Sequence, residues 1–275
     1  MKVDLHSHTT ASDGKLTPKD LIQRACDHLI EMFAITDHDT VGGIQEAIDS
    51  VQGRLKFIPG VELSVQWQGR TLHILGLNVD HRNEELLGCL DQQMQFRAKR
   101  AEAMATELSQ LPNCETIWQD LSAKYKAENM TRSHLADYLL EKGVEQVKDN
   151  VFKHYMNPGL PAYIEEKWIS LRAGMKALLA AKGLPVLAHP CSYGMSNIEM
   201  NNFLTDFKDC GGIGMEVVTG QFTKSDFNKA AYFCDKFKLY GSAGSDFHRP
   251  GFIELGRLRK LPRNLKPIWE IFEFD

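Results

Sequence analysis

Seven short apolar segments of this chain each carry a histidine or a carboxylate at or near their end. They read "KVDLHSH", "MFAITDHD", "LKFIPGVELS", "TLHILGLNV", "GLPVLAHP", "GIGMEVVTG" and "LYGSAGSDFH". Amphipathic helical patterns lie between most of them: "LTPKDLIQRACDHLI", with Thr17 placed to cap it and Pro18 at its first position, then "VGGIQEAIDSV", "SNIEMNNFLTDFKDC" and "KSDFNKAAYFCDKF". Strands alternating with helices predict parallel strands joined by crossover helices, and about seven of them predict an α/β barrel. In such a barrel the C-terminal ends of the strands share one face, where reactive side chains gather.

The polar residues fall where that architecture would bring them together. Read as a strand, the first segment sends Val3, Leu5 and Ser7 to one face and Asp4, His6 and His8 to the other. The two imidazoles are then about 6.5 Å apart, close enough to share an ion. Asp13 follows in a turn marked by Ser12 and Gly14. His38 lies near the end of the second segment, Glu62 opposes Val61 and Leu63 in the third, and His73, His189 and Glu216 are the ligand-type residues of the next three. In the last, Ser242, Gly244, Asp246 and His248 share a face. Burying so many histidines and acids without partners is costly, so their joint pattern predicts several bound cations. Imidazoles mixed with carboxylates, and no thiolates, suit Mn, Fe or Zn better than Mg or Ca. His28, His81 and His154 have no ligand-type neighbours and read as structural.

From Arg82 to Glu166 the pattern is almost purely helical, which is too long for a loop and predicts an all-helical insertion at 82–166 between barrel segments 1–81 and 167–275. The six cysteines are scattered without a C-x-x-C pair, fitting reduced thiols in a cytoplasm. No stretch predicts export or a membrane span. A net charge of -4 removes any global footprint for nucleic acid, so phosphates would need local cations. No P-loop, Rossmann glycine pattern or G-x-S-x-G motif competes with the metal reading.

In order along the chain, "DLHSHTTASDG", "ITDHD", "PGVELS", "HILGL", "TRSHLA", "LAHP" and "GSDFH" resemble the polymerase-and-histidinol-phosphatase (PHP) superfamily. They are most similar to its bacterial 5′→3′ exoribonucleases and 3′,5′-nucleotide-bisphosphate phosphatases. The resemblance implies a distorted seven-stranded PHP barrel with three divalent ions, Mn²⁺ foremost and Fe or Zn as alternatives. It assigns one ion to His6, His8, Glu62 and Asp246, a second to His73 and His134 with Glu62 bridging, and a third to Asp13, His38 and His248. His189 has no slot among these nine ligands, and takes phosphate contact or proton transfer. Glu62 and Asp246 count with it as catalytic groups. Arg132, two residues before His134, is the candidate for a second phosphate. Ions sharing a carboxylate would bridge a water and make it a hydroxide at neutral pH, without a covalent enzyme intermediate.

The implied activity is hydrolysis of phosphate esters of nucleotides and RNA 5′ ends, with a nucleotide or short RNA as the partner and neither membrane nor protein partner. A small-metabolite phosphatase acting on a compound such as histidinol phosphate shares the metal centre. A C–N metallohydrolase and a non-catalytic binding module are the readings from other classes. Relatives usually read A-H-P-G-R-Y where this chain reads "AHPCSY", which puts Ser192 in place of an arginine and opens the substrate range. Arg97 and Arg100 share a helix face, and "RLRKLPRNLK" forms a basic run near the C-terminus that reads as a solvated face.

Overall fold

The computed structural model describes residues 1–127, 130–165, 167–251 and 253–272. Seven strands lie in chain order in one sheet: β1 (Val3–Asp4), β2 (Met32–Ile35), β3 (Lys56–Trp67), β4 (Arg70–Leu77), β5 (Leu184–Leu187), β6 (Gly214–Thr219) and β7 (Tyr240–Gly244). The first and last strands meet: the Leu5 N–H donates to the Ala243 carbonyl at 2.9 Å, and Ser7 bridges Phe247 in parallel. The sheet thus curls into a nearly closed barrel.

The barrel is not all-parallel. β4 runs antiparallel to both β3 and β5, while the other neighbouring pairs are parallel. The reason is the turn "WQGR". Gln68 and Gly69 both adopt positive φ, 46° and 78°, the geometry of a two-residue hairpin, and two residues cannot make a crossover.

Among the described residues, nine α-helices surround or interrupt these strands: α1 (Pro18–Asp27), α2 (Ile44–Val51), α3 (Glu84–Leu108), α4 (Ile117–Ser122), α5 (Arg132–Glu141), α6 (Lys148–Val151), α7 (Leu171–Ala180), α8 (Asn197–Asp209) and α9 (Lys224–Phe237). The Thr17 hydroxyl accepts from the Asp20 N–H, capping α1 as its sequence predicts, with Pro18 first in the helix. α7 lacks a clear sequence signal; Ser170 caps it by accepting from the Ala173 N–H. β2 shows why the strands read as apolar runs. Phe33 and Ile35 join Leu21, Ile22, Ile44 and Ala47 of α1 and α2, whereas Met32 and Ala34 join Val3, Ile58 and Val186 of other strands and Leu5 just past β1. A strand buried on both faces needs apolar residues on both.

The chain divides into two compact units, residues 1–90 with 169–275, and 91–168. The second has its own core, including Met104, Leu108, Ile117, Leu121, Leu135, Leu139 and Val151. Its "VEQVKDNVFKHYM" stretch forms one α-helical turn, α6, followed by a π-helical turn at Phe152–Met156.

Small residues make room at the barrel mouth. A Cβ on Gly244 would lie 2.2 Å from the His6 Cβ and 2.7 Å from Glu216 Oε1. Gly244→Ala is therefore expected to destabilise the protein by about 1–3 kcal/mol through overpacking and to displace His6. Thermal unfolding measured beside metal content checks this; an unchanged midpoint with full metal uptake would refute it.

Candidate metal centre

Each barrel strand delivers its polar residue to one cluster. His6 and His8 follow β1, His38 follows β2, Glu62 lies within β3, His73 within β4, His189 follows β5, Glu216 lies within β6, and Asp246 and His248 follow β7. His73 is the fourth residue of β4 and not at a C-terminal strand end. Because β4 is antiparallel, this early residue pairs with Ser64, two past Glu62. Nor does alternation carry Asp246. β7 ends at Gly244, and Asp246 is left-handed with φ 57°, its N–H donating to the His6 carbonyl at 2.9 Å. His189 is also at positive φ, 25°, with its N–H donated to Glu216 Oε2 at 2.6 Å. Left-handed backbone at two non-glycine residues costs on the order of 1–2 kcal/mol each, a cost met here by these fixed hydrogen bonds.

Glu62 is the hub. It is fully buried, and five imidazoles face its carboxylate. His73 Nδ1 and His189 Nε2 lie 2.9 and 2.8 Å from Oε1, while His38 Nδ1, His6 Nε2 and His8 Nε2 lie 3.0, 3.2 and 3.3 Å from Oε2. Asp246 Oδ1 is 3.2 Å from His8 Nε2 and 3.5 Å from His6 Nε2. On the other side of His38, Asp13 Oδ1 lies 4.0 Å from His38 Nε2 and 3.4 Å from His248 Nε2. Among the described residues, four sets of donor atoms come within 4.8 Å of one another: His8, Asp13, His38 and His248; His6, Glu62 and His189; His6, His8 and Asp246; His38, Glu62 and His73.

The donor chemistry fits divalent cations. A carboxylate offers about four lone-pair sites, so five ring nitrogens cannot all be satisfied by donating to it. His6 Nε2 and His8 Nε2 also face each other at 3.1 Å. His6 Nδ1 is 3.0 Å from Glu216 Oε1, and His248 Nδ1 donates to the Asp246 carbonyl at 2.9 Å. Both bonds hold a ring proton on Nδ1, so Nε2, which faces the carboxylates, is the atom left to ligate an ion. Among the described residues, nine buried side-chain atoms lack a hydrogen-bond partner, and five belong here: His8 Nδ1, Asp13 Oδ1, His38 Nδ1, Glu62 Oε2 and His189 Nδ1.

The electrostatics say the same. Burial pushes the Glu62 carboxyl up, but His38, His6 and His73 hold it well below the usual carboxylate range. Burial likewise opposes the charge on His8, yet Asp246 and Glu62 raise it to about 10. His6 is raised well above the ordinary imidazole value against burial, by Glu62, Glu216 and Asp246. In the metal-free protein these rings therefore keep protons at neutral pH, and a metal must displace them. Metal uptake is expected to release protons, and affinity to rise with pH between 6 and 8. Titration calorimetry in buffers of different ionisation enthalpy reads that release; none detected would contradict the assignment.

A second ring of buried carboxylates, which the sequence reading did not single out, holds the loops in place. Asp37 accepts from the Thr9 N–H and hydroxyl, both at 2.7 Å, and from the Ser12 hydroxyl at 2.6 Å, fastening the turn that carries Asp13. Asp39 accepts from the Ser64 N–H at 2.6 Å, and Asp4 from the Ser245 and Gly256 N–H groups at 2.8 Å. Burial raises the Asp4 carboxyl to about 6 despite those bonds. The flanking acids of "TDHD" were the available signal. The Tyr193 hydroxyl accepts from the His73 N–H at 2.9 Å and donates to the Ala188 carbonyl at 3.1 Å, tying two donor-bearing segments together. Glu216 orients His6 and His189 at once, so Glu216→Gln is expected to weaken metal affinity about 10–100-fold while the protein stays folded. Competition with a chelator dye measures this, and unchanged affinity would rule the role out.

His134 and Arg132 belong to the second unit. His134 Nδ1 accepts from the Thr131 N–H at 3.1 Å, in the capping box of α5, and its ring stacks on Tyr125 with centroids 4.4 Å apart. Arg132 donates from Nη2 to the Met156 carbonyl at 2.9 Å and lies over the Phe152 ring. In the same unit the Arg97 guanidinium lies over Trp168, and Arg100 Nε donates to the Ile164 carbonyl. Ser192 is exposed on a 3₁₀ turn at Pro190–Tyr193. Among the described residues the cysteines are free thiols, and no helix is long and apolar enough to cross a membrane.

A closed ring of imidazoles and carboxylates at the mouth of a seven-stranded barrel defines a metallohydrolase-type centre. The chain belongs to the PHP domain family, whose model matches residues 4–182. A 5′-3′ exoribonuclease of Haemophilus influenzae is 37% identical over 98% of this chain and 99% of its own. A 3′,5′-nucleoside bisphosphate phosphatase of Chromobacterium violaceum is 36% identical over 98% of this chain and 96% of its own. A solved structure described as an amidohydrolase from Chromobacterium violaceum, with bound sulfate and no metal, superposes with a TM-score of 0.91. It is 35% identical and covers 98% of this chain and 95% of that one.

Proposed function

We propose that this chain is a divalent-metal phosphoesterase that hydrolyses phosphate esters of nucleotides and RNA 5′ ends. The single observation that carries the reading is one fully buried carboxylate, Glu62, faced by five imidazole nitrogens within 3.3 Å. The two relatives named for RNA and for nucleoside bisphosphates support the substrate class.

The ligand set we propose differs from the one the resemblance implies at one position. His189, and not His134, joins His73 and Glu62. An imidazole whose Nδ1 accepts a backbone N–H carries its own proton on Nε2, so His134 as it caps α5 offers no lone pair to an ion. The full set is then His6, His8, Asp13, His38, Glu62, His73, His189, Asp246 and His248, with His189 a ligand and not the proton-transfer group that the resemblance suggests. Manganese is the foremost candidate, in up to three ions, with iron or zinc as alternatives.

Ions held there supply Lewis acidity toward phosphoryl oxygens and acidify a water at neutral pH. The protein's part is arrangement. Glu62 and Asp246 hold negative charge at fixed points among the rings, Glu216 and the Asp246 carbonyl fix the tautomers of His6 and His248, and Asp37 pins the loop bearing Asp13. Arg132 remains our candidate for a second phosphate.

The test is turnover of a 5′-monophosphorylated oligoribonucleotide and a 3′,5′-bisphosphonucleotide with Mn²⁺, beside histidinol phosphate and a chelated control. The proposal expects release of 5′-terminal nucleotides and of the 3′-phosphate, both abolished by chelation. Turnover of histidinol phosphate alone would replace it with the small-metabolite reading.

A further inference from the structure

The basic run "GRLRKLPRNLK" is not absorbed by the metal centre. Residues 257–266 carry Arg257, Arg259, Lys260, Arg263 and Lys266 and no acid, in a chain whose net charge is -4. The segment is neither helix nor strand, yet it is fixed. Leu255, Leu265 and Ile268 are buried, the Gly241 N–H donates to the Lys266 carbonyl at 2.8 Å, and Pro267 bridges Gly241 of β7 in parallel. The five cations themselves are exposed, and none has an ion-pair partner among the described residues. Arg259 also rests over the Phe227 ring.

Three of the five cations, Arg259, Lys260 and Arg263, line a groove of about 850 Å³, with half-buried Trp269 beside apolar Leu258 and Leu261. Lys2 and Val3, where β1 begins, also line it, with two acids, Glu31 just before β2 and Glu270, against its four Lys and Arg side chains. The groove therefore opens at the end of the barrel where β1 and β2 start, whereas the donor residues follow the ends of those strands.

We propose that this groove is a docking track for the body of a single-stranded RNA, separate from the metal centre. The inference rests on the phosphoesterase reading for its choice of partner. Exposed, unpaired cations beside an aromatic ring, in a groove and not on a flat face, are what a sequence-tolerant single-strand site requires. Phosphates supply the missing counter-charge, and Trp269 and the guanidinium planes can stack bases. An RNA long enough to pass from one end of the barrel to the other engages both sites, while a mononucleotide engages only the metal centre.

The test compares wild type with the triple variant Arg259→Ala, Lys260→Ala and Arg263→Ala, as the metal-loaded protein. Kinetics are measured on a 3′,5′-bisphosphonucleotide and on a 5′-monophosphorylated RNA of about 20 nucleotides, longer than the roughly 4–16 that one such groove spans. Binding is read from the anisotropy of a fluorescent 2′-O-methyl oligoribonucleotide of the same length, across salt concentrations. We expect a rise in KM for the long RNA of about tenfold or more, a salt slope shallower by about 2, and unaltered bisphosphonucleotide kinetics and melting temperature. Equal RNA binding by both proteins would overturn the docking track in favour of an acidic protein partner, with the phosphoesterase reading intact. Loss of bisphosphonucleotide turnover in wild type itself would mark the failure of that underlying reading instead.

Discussion

Glu62→Gln is expected to leave a folded protein that neither retains its metal nor turns over a phosphoester. The amide keeps the size of the side chain, so the barrel need not repack. What it removes is the one negative charge to which His6, His8, His38, His73 and His189 all turn. It also places an NH₂ group against ring nitrogens, repelling any that carry a proton. Losing a shared ligand should cost several kcal/mol of transition-state stabilisation, so turnover should fall by roughly a thousandfold or more. Metal analysis and steady-state kinetics on the same preparation measure it. A variant with native metal content and more than a tenth of wild-type turnover would show that Glu62 is not the hub.

The second large effect separates two histidines that sequence alone cannot rank. His189→Ala should lose metal and lower turnover by at least about a hundredfold, because its Nε2 sits 2.8 Å from Glu62 Oε1 and its left-handed backbone is built to put it there. His134→Ala should keep the metal. Its cost is that of an N-terminal helix cap, about 1 kcal/mol, seen as a lower melting temperature and little change in metal stoichiometry. The reverse pattern, with metal lost from the His134 variant and kept by the His189 variant, would restore the ligand set that the resemblance implies.

The contrast shows where the sequence is informative. The barrel was legible because each strand is an apolar run that must be covered on both faces, as β2 is. The donors were legible because nothing else explains so many histidines and acids at the ends of such runs. The reversal of β4 was written in "WQGR", but only the positive φ of Gln68 and Gly69 turns that signal into antiparallel pairing and carries His73 to the cluster from the start of its strand. His189 was legible as a site residue, but its role was not, for a related reason. Strand alternation stops being a guide once the backbone turns left-handed, as it does at His189 and Asp246. The local contacts of His134 were not legible either: a histidine three residues after Thr131 is an unusual capping-box partner, and no motif records the hydrogen bond it accepts from the Thr131 N–H. The orienting carboxylates Asp4, Asp37 and Asp39 act through bonds to backbone and hydroxyl groups far away in the chain, so they look like ordinary buried acids until the fold assembles them.

The most direct test of the central claim is the anomalous scattering of manganese in crystals of the metal-loaded protein. Peaks are expected within coordination distance of Glu62 and the surrounding rings, with His189 among the ligands and with Asp13, His38 and His248 sharing another peak. Peaks absent from the Glu62 cluster, or one coordinated by His134 in place of His189, would contradict it.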